Sequence, residues 1–311
     1  MATYAEIASK GACGASDVYG TNLDNGCIID FERIIAKWKV SPSVRISPTD
    51  DVTDSAYWID LIVRGLMVPL TGILSFTEDG SEDSIETLED DTQRLTLRGK
   101  YRFLETYTKG VYWQRALGAF NGFGGWKDIW IDDSGRIILY EDDNGFGQGF
   151  TVGMNERLKM TIPGVSQSLK QMARVQYLNR YEIDDSMKVL DRKNLNFDPR
   201  QIKGVTEVRL SYVNAPSNGD TALVVRAVLA QDIKTPVQDL EAADFAHFVG
   251  TTPNNPAGET ESDGEYNLSI LTALNSVDST TIQIYDNANN RPIVNKNGNL
   301  YKSAIVTATV I

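Results

Sequence analysis

Apolar and polar residues alternate with period two along most of this chain, the repeat of a strand with one buried face. Leu95–Phe103 alternates in this way. So do Trp126–Ile131 and Arg136–Tyr140, with Asp132-Asp133-Ser134-Gly135 between them as a hairpin turn. Phe150–Gly153, Met172–Tyr181 and Glu207–Val213 continue the pattern. Two segments read instead as helices. Ile28–Trp38 sets Ile28, Phe31, Ile34, Ile35 and Trp38 on one stripe; Gly110–Phe120 sets Val111, Leu117 and Phe120 toward a core and stops at Asn121-Gly122. Residues 1–200 are expected to form a mainly β domain with one or two helices.

The character changes around Asp198–Gly204. Beyond it, short strand-like runs recur at regular spacing: Glu207–Val213, Ala222–Ala230, Asp244–Gly250, Glu265–Leu271, Thr280–Tyr285, Arg291–Asn295 and Ala304–Ile311. Pro216-Ser217-Asn218-Gly219-Asp220, Ser262-Asp263-Gly264 and Asn297-Gly298 separate them as turns. Such spacing predicts an immunoglobulin-like sandwich over 205–311, without the Cys…Trp…Cys of antibody domains.

Charge narrows the functional classes. With 30 basic and 42 acidic residues the net charge is −12, which argues against a protein that grips nucleic-acid phosphates. No basic n-region and apolar h-region open the chain, so no secretory signal is expected. Leu61–Leu74, its longest apolar stretch, is interrupted by Arg64, Gly65, Pro69 and Gly72 and reads as no membrane helix. Cys13 and Cys27 read as reduced thiols of a cytosolic product, with a disulfide between them as the other reading.

No catalytic set can be assembled from the residues. The single histidine, His247, has no nucleophile near it in sequence and reads as structural or surface. Gly145-Phe146-Gly147-Gln148-Gly149 lacks the Gly-Lys-Ser/Thr of a phosphate loop and the GxGxxG spacing; tight turns under packed aromatics are expected. Asp132-Asp133-Ser134-Gly135 and Asp142-Asp143-Asn144-Gly145 do not continue as calcium loops, and two cysteines with one distant histidine cannot supply a zinc tetrahedron. No carboxylate pair of a glycosidase can be singled out among the many acids. The expectation is a non-enzyme without cofactor or metal.

The strongest charge feature is Glu78–Asp91, with eight carboxylates and no base, followed by Arg94, Arg98, Lys100 and Arg102. Three readings are open: a solvated loop, an inter-subunit contact, or a repulsive lining past which DNA slides. For the contact, the candidate residues are Glu82, Asp83, Glu86 and Glu89 of one copy against Arg94, Arg98, Lys100 and Arg102 of another.

Asp239-Leu240-Glu241-Ala242-Ala243-Asp244-Phe245 and Thr260–Leu268, with Asp263-Gly264-Glu265-Tyr266-Asn267-Leu268, resemble bacterial Ig-like modules. The order acidic loop, strand Leu95–Phe103, helix Gly110–Phe120 and hairpin Trp126–Tyr140 looks like the tail tube proteins of long-tailed bacteriophages. That resemblance implies, for residues 1–200, a tube-type β-sandwich or barrel with a flanking helix and long loops, in a structural virion protein made in a bacterial cytoplasm. Residues 1–200 would build stacked hexameric rings through which DNA passes without specific binding, in contact with other tail proteins and with no membrane. An arm formed by residues 1–27 would bridge copies, and 205–311 would decorate the outside. A head-decoration, fibre or glycan-binding adhesin role is the other class that two β domains suit.

Overall fold

The computed structural model describes residues 2–9, 32–80, 84–87, 93–97, 99–162 and 168–311; of 84–87 and 93–97 it describes the backbone alone. Cys13 and Cys27 lie outside these residues. The chain is mainly β and divides into two compact units, Met1–Ile202 and Lys203–Ile311. Among the described residues no helix is long and apolar enough to cross a membrane.

The first unit runs α1 (Tyr4–Ser9), β1 (Ile34–Val40), α2 (Ser55–Val63), β2 (Met67–Thr71), β3 (Ile73–Glu78), β4 (Ser84–Thr87), β5 (Gln93–Leu97) and β6 (Arg102–Tyr107). It continues with α3 (Val111–Gly118), β7 (Gly122–Phe123), β8 (Lys127–Asp132), β9 (Ile137–Glu141), β10 (Gly147–Gln148), β11 (Phe150–Arg157), β12 (Gln171–Tyr177), α4 (Arg180–Asp184) and β13 (Met187–Leu190). One sheet carries the order β10-β9-β8-β11-β12-β6-β3, with β1 joining β2 to β8, β13 on β9 and β7 on β11. The sheet curls until β1 also packs on β3. Its concave face gathers Trp130, Phe150, Val152, Val175, Tyr177 and Tyr107 into one core, with Phe76 and Phe103 stacked at 4.6 Å beside them.

Ile28–Trp38 is corrected here: residues 34–40 form strand β1, and 28–31 fall outside the described residues. A helical stripe that ends at Trp38 treats Lys37 as solvent-facing. In fact Ala36, Trp38 and Val40 alternate with Lys37 and Lys39, and all five are buried, so β1 is covered on both faces. Trp38 packs on Trp58 of α2 at 4.7 Å, and the Trp58 indole donates to the Val52 carbonyl. The α2 helix, capped by Asp54, had no counterpart among the expected elements. Leu95–Phe103 is two strands, β5 and β6, rather than one. The helix α3 falls within the expected Gly110–Phe120, with Leu117 buried but Val111 exposed.

Residues 4–9 of the expected arm form helix α1, packed against their own unit. Tyr4 and Ile7 are buried, the Tyr4 amide donates to the Asp50 carbonyl at 2.8 Å, and the Tyr4 ring lies on the backbone of Gly147. Residues 10–27 of that arm lie outside the described residues.

The second unit is a sandwich of two sheets. One has the order β18 (Pro256–Ser262), β19 (Glu265–Ile270), β15 (Ala222–Leu229), β14 (Val205–Tyr212), β22 (Asn299–Ser303), β21 (Val294–Lys296). The other runs β17 (Thr252–Pro253), β16 (Phe245–Val249), β20 (Ser279–Ile284), β23 (Val306–Thr309). All pairs are antiparallel except β14 with β22. Val225, Tyr266 and Leu268 of the first sheet meet Phe245, Ile282 and Ile284 of the second. Strands β17, β18 and β22 add to the seven runs expected.

Two-residue turns set the hairpins. Asp263-Gly264 and Asn297-Gly298 hold positive φ at both positions, which matches the twist of the strands they join. Gly264 also lies where a Cβ would come within 2.8 Å of the Ala227 carbonyl, so no side chain fits there.

His247 of β16 is fully buried, its ring held between the Asn254 carbonyl (2.8 Å from Nδ1) and the Thr280 hydroxyl. Burial disfavours the imidazolium and lowers the pKa from its ordinary 6.5, although the Asn254 carbonyl opposes the shift. Below that pH the unfolded chain takes up a proton that the folded ring resists, so stability falls as pH drops, by at most ~1.4 kcal/mol per pH unit. The protection factors of the β16 and β20 amides, with the slower intrinsic exchange in acid divided out, should fall between pH 7 and pH 5, and His247→Gln should flatten that dependence. An unchanged profile in the variant would assign the acid sensitivity to other groups.

Candidate functional site

Two polar arrangements in the first unit stand out from a sheet scaffold: a buried charge cluster inside the curled sheet, and a ribbon inserted in sequence between two of its strands.

The cluster is made by alternation. On β1 the side chains opposite Trp38 are Lys37 and Lys39, and they face Glu105 of β6 and Asp128 of β8; all four are at most 1% exposed. The register places Lys39 directly across from Asp128 and Lys37 across from Trp130. Lys37 binds Glu105 and lies 3.3 Å from Asp128 Oδ2, while Lys39 Nζ sits 2.8 Å from Asp128 Oδ1 and 3.1 Å from Oδ2. The Tyr107 hydroxyl donates to Glu105 at 2.8 Å, and the Tyr177 hydroxyl donates to Asp128 Oδ2 at 2.9 Å while accepting from the Trp130 indole.

Two cations and two anions balance, but the environment treats them differently. Burial works against the charge on both lysines. At Lys37, Asp128 and Glu105 outweigh it and the pKa rises; at Lys39 burial prevails and the pKa falls to about 8. Burial also opposes the Asp128 carboxylate, yet Lys37 and Lys39 pull its pKa below the usual carboxylate value. Tyr107 and Tyr177, raised first by burial and then by the adjacent carboxylates, remain hydroxyl donors.

The ribbon is an insertion in sequence. Strand β3 ends the main path of the sheet and pairs with β6 as far as Glu78 opposite Phe103, and β4 and β5 fall between these two strands in sequence. Strands β4 and β5 form a two-stranded sheet of their own, with Glu86 in register with Arg94. Its flanks are clamped. The Asp79 amide donates to the Arg102 carbonyl at 2.6 Å and the Arg102 guanidinium donates back to the Asp79 carbonyl at 2.7 Å. Arg174 of β12 bridges the Asp79 carboxylate (2.7 Å) and Glu156 (3.1 Å). Gly80 lies so close to the Lys100 carbonyl that a Cβ would stand 2.1 Å from it.

Of the residues proposed from sequence to meet between copies, Arg102 is thus bound to Asp79 of its own chain, and Lys100 is exposed beside Gly80. Glu86 and Arg94 share the ribbon, whereas Glu82, Asp83, Glu89 and Arg98 lie outside the described residues. Sequence reasoning missed the cluster. Its signal was there in the Ala36-Lys37-Trp38-Lys39-Val40 alternation, read instead as a helix.

Other polar sites are internally engaged. The Asp142 carboxylate accepts from the Asn144 and Phe146 amides, Gln148 and Arg45, which closes the turn with its own donors. A surface hollow of about 490 Å³ beside α2 holds Arg45, Asp50, Tyr57, Asp60 and Arg64, in which Arg64 pairs with Asp60 and Tyr57 donates to Asp50. Among the described residues no group of three or more His, Cys, Asp or Glu is placed to hold a metal ion. No protein-family model matches this chain, and no curated protein shows significant similarity to it.

Removing one member of the cluster strands the others. Asp128→Ala leaves two buried ammonium groups facing one carboxylate and should lower stability by about 3–5 kcal/mol. Asp133→Ala, which breaks the exposed pair with Arg33, should cost no more than about 1 kcal/mol. All five tryptophans lie in the first unit, so urea unfolding followed by their fluorescence reads this unit. Equal costs for the two variants would refute the cluster's role.

Proposed function

We propose that this chain is a non-catalytic structural subunit that self-assembles into the stacked rings of a long-tailed phage tail tube. Its second unit would decorate the outside. The observation that carries the reading is the β4–β5 ribbon: a separate two-stranded sheet inserted in sequence between β3 and β6, flanked by the ion pairs of Asp79, Arg102 and Arg174 and paired with no other strand among the described residues. Unpaired strand edges are templates for pairing with another chain, and such ribbons are satisfied when a second copy covers them.

Two further features support the reading. Large apolar side chains stand in solvent on α3 and β7, with Tyr112 65% and Phe123 87% exposed, as expected of surfaces covered in an assembly. The net charge of −12 suits a lumen that DNA traverses without adhering. Partners in this reading are further copies of the chain and other virion tail proteins. Opposed acid and base on the ribbon would fix docking register more than add affinity.

Dilute protein should be monomeric and should form rings or tubes by negative-stain microscopy when concentrated. Neutralising Glu82, Asp83, Glu86 and Glu89 to Gln or Asn should raise the concentration needed for assembly by about tenfold, a loss of ~1.4 kcal/mol per contact, with an unchanged circular-dichroism spectrum. Failure of the native chain to assemble at any accessible concentration, or specific capture on a glycan array, would overturn the proposal. Assembly of the neutralised variant at the native concentration would remove the ribbon acids from the contact.

A further inference from the structure

The charge cluster does more chemistry than an ion network requires. Lys39 Nζ stands within hydrogen-bond distance of both oxygens of Asp128, and the two residues are direct partners across β1 and β8. Water is excluded, since Lys37, Lys39, Glu105 and Asp128 are all at most 1% exposed. An amine and a carboxyl group held in contact in a dry site need no bimolecular encounter, the first requirement of their condensation.

We propose that Lys39 and Asp128 join in an intramolecular isopeptide bond, formed by the folded protein on itself. The ionised pair holds every atom the step needs. One ammonium proton passes to Asp128 Oδ1, which frees the Nζ lone pair to attack Cγ. A second Nζ proton follows to the same oxygen, the C–Oδ1 bond breaks, and Oδ1 leaves as water. The amide keeps the third proton, and no oxidation state changes.

The neighbours occupy the positions that this step calls for. Negative charge grows on Oδ2 as the C–N bond forms, and Oδ2 faces the Tyr177 hydroxyl at 2.9 Å and the Lys37 ammonium at 3.3 Å. Both are donors fixed before the reaction, the arrangement that stabilises a tetrahedral oxyanion. Glu105 remains the counter-ion of Lys37, so the finished site holds one ion pair and one neutral amide. Burial that lowers the Lys39 pKa to about 8 also makes its free amine accessible near neutral pH. The product replaces a buried ion pair with a group that costs far less to keep out of water. It ties β1 to β8 and closes the loop that carries α2, the β4–β5 ribbon and α3. It forms within one chain, independently of the assembly reading.

The mass of the denatured protein tests this directly. Native chain should be lighter than its sequence by one water, about 18 Da, relative to Lys39→Met prepared in parallel and corrected for the substitution, because that variant lacks the nucleophile. Tandem mass spectrometry of the digest should give a branched peptide joining the segments that hold Lys39 and Asp128. A native mass equal to that of the intact sequence overturns the proposal, whether or not the variant folds. A branch mapped to any other pair of residues overturns the assignment to Lys39 and Asp128.

Discussion

The first unit depends on one constraint: four charged side chains must find each other in the dark of a sheet interior. Lys37 and Lys39 can be buried only if β6 supplies Glu105 and β8 supplies Asp128 at the same depth. An isolated buried charge costs several kcal/mol, so the pairing is required for folding rather than added to it. It also fixes register. A slip of one residue along β1 would bring Trp38 into the charged site and thrust Lys37 and Lys39 against Trp58, the worst exchange the strand could make. The curl of the sheet follows, because β1 must reach both β8 and β6.

That frame gives the ribbon its footing. Strand β6 holds Glu105 in the cluster and, three residues earlier, Arg102 at the ribbon flank. Strand β12 lends Tyr177 to the interior and Arg174 to Asp79 on the outside. The same two strands therefore set the interior and hold the flank of the ribbon, which links the buried electrostatics to the surface on which assembly is proposed.

The fold was legible where local chemistry decides. Asp263-Gly264 and Asn297-Gly298 announced their hairpins, since few other residues take positive φ. Tyr266, Leu268 and Ile270 of β19 alternated with exposed Asn267 and Ser269 as a one-sided strand should. It was illegible where tertiary partners bury charged residues on the second face of a strand. β1 then looked helical, because Lys37 and Lys39 count as exterior on any hydropathy scale and only tertiary partners reveal otherwise. Strand β18, largely polar on a sheet edge, carried no apolar signal at all. As for the site, the acid-then-base order was visible, but that it folds into a ribbon whose flank is tied by Arg174 requires contacts almost a hundred residues apart in sequence.

Hydrogen exchange across assembly tests the central claim most directly, because it reads frame and ribbon in one experiment. In dilute protein, amides of β1, β6 and β8 should exchange only through global unfolding, while those of β4 and β5, an isolated two-stranded pair, exchange early. On concentration into rings, protection should rise in β4 and β5 and stay unchanged in β1. Exchange of β1 ahead of the ribbon, or a ribbon no better protected in the assembled state, would contradict the account.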